Sequence, residues 1–271
     1  MKKHLSNLML VLVFVAGLSL LLYPTVSDYW NSFHQSYAVA SYSDTVAKMD
    51  RVSYQSVWDE ARAYNQTLLT KRNRFYMKDS ERERYAQLLN VSGNGVMATV
   101  EIPRIKVSLP IYHGTDEAVL QVAIGHLEGS SLPVGGEGTH CVVSGHRGLP
   151  SAKLFSNLDQ MKLGDTFMLH VLDETLTYEV DQILVVEPDE VDALEIDPAQ
   201  DLCTLITCTP YGINTHRLLV RGHRVATEEA KPTVHISSDA SMIDPLTVSA
   251  VVAVPLLLVW LLWLIFAPRK R

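Results

Sequence analysis

The chain has 271 residues and a formal net charge of −7, from 30 acidic against 23 basic side chains. That balance offers no basic stripe for a phosphate backbone, which excludes nucleic acid as a partner. Three cysteines are too few for a disulfide framework, while 47% hydrophobic content is ample for a packed core.

Lys2 and Lys3 precede an apolar run over residues 8–23. The residues Leu20-Leu21-Leu22-Tyr23-Pro24 offer no small-residue cleavage site, so residues 1–27 read as an uncleaved signal anchor. Residues 28–90 are charged and helical in pattern, with Val46, Met49, Val57, Trp58, Ala61, Tyr64 and Leu68 at near-helical intervals. They form a helical collar or a divergent lid. From residue 91 to 227 the texture changes to short β-type runs, such as 97–102, 166–171 and 177–180, punctuated by Gly, Pro and Asp. The fold class is therefore mainly β. A polar linker over 228–245 leads to a second apolar run, 246–267, long enough for a span of about 20 residues and tolerant of its Pro255. A basic tail, 268–271, follows. Positive charge lies on the terminal side of each apolar run, which puts both termini in the cytoplasm and the region between them outside the cell membrane.

Within the β-rich region, His146 follows the apolar run Cys141-Val142-Val143 in Ser144-Gly145-His146-Arg147. Residues 202–208 read as a largely buried strand ending at Cys208, residues 209–214 as a turn, and residues 217–221 as a returning strand. Such a hairpin places Arg217 near Cys208. A thiol attacks as thiolate, so a proton carrier must accompany it, and His146 can take the proton and later pass one to a leaving amine. Arg217 brings a permanently charged planar fork for the oxyanion. Alone, each has a plainer reading: a buried apolar cysteine, a turn histidine, a surface arginine.

The run Thr204-Leu205-Ile206-Thr207-Cys208, the downstream Arg217 and the upstream His146 together resemble the sortases, cysteine transpeptidases of the Gram-positive cell surface. The stretches GHRGLPSAKLFSNLD and TCTPYGINTHRLLVRGHR resemble their class C, pilin-polymerising branch. The resemblance implies a closed β-barrel of about eight strands, with His146, Cys208 and Arg217 as the catalytic residues and no cofactor. It implies cleavage of a Leu-Pro-X-Thr-Gly-like sorting signal between Thr and Gly, through a thioester on Cys208. The acyl group then passes to a lysine of a secreted pilin; the alternative is a housekeeping sortase that anchors surface proteins to peptidoglycan. Class C enzymes commonly carry an Asp-Pro-aromatic lid motif, which residues 64–90 lack, although Phe75-Tyr76 with Asp79 could stand in for it. A groove less occluded than the family norm is expected.

Other assignments are weaker. Cys203, Cys208, His216 and His223 have the look of a zinc string, but strand alternation turns Cys203 away from Cys208 and His216 away from His223. Glu187, Asp189, Glu190 and Asp192 make an acidic loop, read as a solvated turn rather than a calcium site. No metal is expected. His113, His126, His140 and His170 read as structural. A cysteine protease of the papain kind would need an orienting Asn that no motif marks, and a non-enzymatic scaffold would not need Cys208.

Overall fold

The structure, a computed structural model, describes residues 2–227. The predicted linker 228–245, the second apolar run 246–267 and the basic tail 268–271 lie outside the described residues.

Helix α1 (Lys2–Ala47) contains the first apolar run, where an 18-residue stretch reaches a mean hydropathy of 2.3. By length and composition it can cross a membrane. The helix does not end where the predicted anchor ends. Its last turns bury Ala38, Tyr42 and Val46. Asp50 then caps α2 (Arg51–Leu68), its carboxylate accepting the Val52 and Ser53 N–H groups. Trp58, Ala61, Tyr64 and Leu68 form the buried stripe of α2, as the helical periodicity predicts. Helix α3 (Asp79–Gln87) buries Tyr85.

Eight strands follow: β1 (Val96–Ile102), β2 (Val107–His113), β3 (Ile124–His126), β4 (Thr139–Ser144), β5 (Thr166–Val171), β6 (Glu174–Val186), β7 (Asp201–Thr209) and β8 (His216–Val225). A one-turn helix, α4 (Glu117–Leu120), precedes β3. The strands close in the order β1-β2-β3-β4-β7-β8-β6-β5, the barrel expected. Only β2 with β3 and β4 with β7 run parallel. Closure pairs every strand on both sides and leaves no open edge.

Strand alternation divides the apolar residues into two clusters. Cys141, Val143, Cys203, Leu205 and Val220 belong to the main core, together with the buried apolar residues of α1, α2 and α3. Their neighbours Val142, Ile206 and Leu219 point the other way and join Val186 and Leu194 in a small second cluster on the opposite face. That outer patch becomes the floor of the site.

The helices share the barrel's core, and residues 28–228 form one compact unit. Polar side chains fasten them to it. The Tyr42 hydroxyl donates to Met97 O and accepts from Leu172 N–H, and burial pushes its pKa up to about 12. The Asn65 amide pairs with both backbone groups of Leu132. The Tyr85 hydroxyl lies 2.8 Å from His126 Nδ1.

His140 is a buried clamp between two elements, with Nδ1 2.8 Å from Glu195 O and Nε2 2.7 Å from Thr204 Oγ1. Burial is the main cause that brings its pKa down from 6.5 to about 4. The folded protein thus binds fewer protons than the unfolded chain between those values, and stability falls as pH falls through that window. We expect the thermal midpoint to drop from pH 6.5 toward 4, with a shallower slope in His140→Gln; equal slopes would remove His140 from the cause.

Candidate active site

Cys208 and Arg217 face each other as register partners across the β7–β8 hairpin. Cys208 is the penultimate residue of β7, which runs one residue beyond the strand end predicted at Cys208. Asn214 and Gly212 take the left-handed conformations that the connecting turn requires, at φ 61° and 75°. The Arg217 Nη1 donates to the carbonyls of Asn214 and His216. Among the described residues the guanidinium makes no salt bridge, and Arg217 lines the groove.

His146 arrives by a different route. Because β4 runs parallel to β7 and ends at Ser144 opposite Ile206, the segment after β4 leaves alongside the last residues of β7. The chain then turns at Gly145, whose N–H donates to Ile206 O and whose carbonyl accepts from Thr207 Oγ1 at 2.7 Å. A Cβ on Gly145 would stand 2.7 Å from Ile124 Cγ2 and 2.8 Å from Phe155, so glycine alone fits there. The His146 carbonyl accepts from Phe155 N–H. The imidazole is therefore set by backbone on both sides, and among the described residues Nε2 has no hydrogen-bond partner, its nearest carboxylate being Glu117 at 3.9 Å.

All three predicted residues line one cavity of about 500 Å³. Its floor is the outer apolar cluster of Val186, Leu194, Ile206 and Leu219. Asp116, Glu128 and Glu190 also line the cavity, and Glu190 belongs to the acidic loop of residues 187–192.

Arg147 was not singled out by the sequence, yet it joins the two halves of the site. Its guanidinium contacts Thr209 Oγ1 and Asp159 and lies 5.7 Å from the Tyr211 ring centroid. Gly148 continues the joint: a Cβ there would come within 2.8 Å of the Tyr211 ring. The loop after β4 and the hairpin that carries Cys208 are thereby locked together.

The segment between α2 and α3 forms the remaining wall. It is an irregular strap, and Phe75 lines the cavity and packs on the outer apolar cluster. Arg74 anchors it: the side chain is 5% exposed, donates to Leu194 O and Glu195, and lies 4.5 Å from the Phe75 ring centroid. The strap passes so close to Gly129 that a Cβ there would stand 2.3 Å from Arg74 O. Phe75, which the sequence offers as a stand-in for the absent Asp-Pro-aromatic motif, thus walls the groove on this side and is held by a buried arginine.

Cys203 lies in the core and Cys208 on the groove face, so the residues of the zinc-like string do not converge. His216 Nε2 is 3.2 Å from Glu187 and His223 Nδ1 is 3.8 Å from Asp181.

Residues 100–225 match the family model of the sortase domain. The chain is 50% identical to sortase C1 from Streptococcus agalactiae, with 71% of this chain and 100% of that one aligned at a TM-score of 0.69. Sortase C of Streptococcus pneumoniae is 48% identical over 70% of this chain and 97% of that one, with a TM-score of 0.64. Sortase D of Bacillus subtilis is 30% identical over 129 residues, which are 46% of this chain and 62% of that relative. With the barrel topology and half its residues shared across the whole of a solved sortase C1, the chain belongs to the sortase family of cysteine transpeptidases, on its class C branch.

Proposed function

We propose that this protein is a pilin-polymerising transpeptidase in which Cys208 is the nucleophile, His146 the proton carrier and Arg217 the oxyanion holder. The observation that carries the reading is the convergence of these three side chains on one groove with an apolar floor. A sorting signal lies along that floor, its Leu and Pro against Ile206, Leu219, Val186 and Leu194. The Cys208 sulfur, as thiolate with its proton on His146, forms a bond to the threonine carbonyl carbon, and the carbonyl oxygen takes up negative charge beside the Arg217 fork. As the Thr–Gly bond breaks, His146 gives a proton to the departing glycine amine. A lysine amine from the next pilin then attacks the thioester, His146 accepts its proton, the thiol is regenerated and an isopeptide bond remains.

The N-terminal part of α1 is the membrane anchor in this reading, with the barrel on the outer face and both termini inside. Supporting it are the apolar stretch and the flanking lysines. The strap acts as a gate. Phe75 stands where the substrate's apolar residues would lie, and Arg74 holds it there.

Intact-mass analysis with a Leu-Pro-X-Thr-Gly peptide tests the reading. The wild type should gain a thioester adduct that Cys208→Ala lacks, and a lysine-bearing pilin should discharge it. Discharge only to a peptidoglycan amine would instead favour surface-protein anchoring, and only to water a protease. Arg217→Lys, which replaces the fork with a hydrated point charge, should slow turnover about 10²- to 10³-fold. A wild-type rate would remove Arg217 from the oxyanion role.

Arg147 acts as a positioning residue. Arg147→Ala should lower kcat while leaving KM and the thermal midpoint nearly unchanged, and a parallel fall in the midpoint would reduce its role to packing. For the strap, losing the charged hydrogen bonds of Arg74 removes about 1.5–3 kcal/mol of anchoring. Arg74→Ala should therefore raise the rate of thioester formation by roughly tenfold or more at low peptide concentration. An unchanged rate would mean that the strap does not gate.

A further inference from the structure

Beyond its apolar stretch, α1 has two contrasting faces. One is fastened to the barrel. Asn31 Nδ2 donates to Ser151 O, the Asp28 carboxylate accepts Lys153 N–H, Gln35 reaches Val122 O, and Ala38, Tyr42 and Val46 enter the core. The other face carries Val26, Tyr29, Trp30, Phe33 and Tyr37, each between 62% and 71% exposed. At intervals of three and four residues these side chains form a single stripe. Nothing among the described residues covers it. Five large apolar side chains on one exposed stripe are far from the scattered surface hydrophobics of an ordinary domain.

We propose that this stripe lies in the headgroup layer of the outer leaflet and sets the depth and rotation of the catalytic barrel against the membrane. The proposal rests on reading the first half of α1 as a membrane span. Three features favour lipid over a second copy of the chain. The stripe is continuous, on the same helix, with the apolar stretch. Its composition is aromatic rather than the Leu, Ile and Val of a helix-pairing seam, and amphipathic Tyr and Trp concentrate at bilayer interfaces. The residues interleaved with it, such as Ser32, His34 and Ser36, are polar and exposed, as the headgroup layer accepts. The dimensions also fit. Tyr29 to Phe33 rises about 6 Å, comparable to the roughly 5–7 Å of interfacial layer on each side of the hydrocarbon. Tyr37 lies about 6 Å further along, where a helix tilt near the average of about 20° lowers it by less than about 1 Å; as a helical side chain leans toward the helix N-terminus, its ring is directed back at that layer.

The consequence for function is orientation. A tether alone would leave the groove free to tumble. A helix embedded along one face presents His146, Cys208 and Arg217 in a fixed direction relative to the leaflet.

The full chain in phosphatidylcholine–phosphatidylglycerol vesicles tests this, using Trp58→Phe, Trp260→Phe and Trp263→Phe together so that Trp30 alone emits. Vesicle flotation is scored first. Lipids brominated near the headgroup should then abolish most of the Trp30 emission, while aqueous acrylamide quenches it weakly. Since Trp58 is a core residue, the same quenching is also read as the difference between wild type and Trp30→Phe, which does not depend on the triple variant folding. Acrylamide quenching without bromine quenching, in protein that floats, would overturn the proposal and leave the span intact. Protection from both quenchers that disappears on dilution in the bilayer would assign the stripe to a second copy. Failure to float would remove the span and the proposal with it.

Discussion

The register of three adjacent strands is the constraint on which the site depends. Antiparallel pairing sets Arg217 directly opposite Cys208, and parallel pairing ends β4 opposite Ile206 so that the chain carries His146 out alongside the last residues of β7. Because strand side chains alternate with a period of two, a one-residue slip of β7 would turn Cys208 into the barrel and Cys203 out of it. The register is protected by the core itself, since the same slip would expose Leu205 and bury the groove floor. Catalytic geometry and hydrophobic burial are thus specified by one set of contacts.

The loops beyond those strands convert register into a site. Gly145 turns the chain where no side chain would fit, Thr207 holds the Gly145 carbonyl, and Arg147 with Tyr211 bridges to the hairpin. These are backbone and second-layer contacts. They place the imidazole and the thiol and leave the reacting atoms free to meet substrate.

Much of this was legible in the chain, and the reason is locality. The hairpin joining Cys208 to Arg217 spans a single turn with Pro, Gly and Asn, so sequence distance and spatial distance agree. The β-rich texture and the helical stripe from Trp58 to Leu68 are likewise local patterns. The parallel contact that brings His146 to Cys208 is not local, and only the family resemblance pointed to it. The strap was hidden for a related reason: Arg74 and Glu195 are far apart in the chain, and an arginine in a charged helical region reads as a solvated residue until its burial is seen. The end of α1 was also masked, because a helix that leaves an apolar stretch and enters a core changes its pattern midway.

The central claim is that Arg217 and His146 flank the carbonyl attacked by Cys208. A crystal structure of the protein with a sorting-signal mimic joined to Cys208 by a disulfide tests it most directly. The account predicts the threonine-position carbonyl oxygen within hydrogen-bond distance of the Arg217 guanidinium, with the His146 ring on the side of the departing amine. A carbonyl held by other donors, with Arg217 still folded on Asn214 and His216, would contradict it.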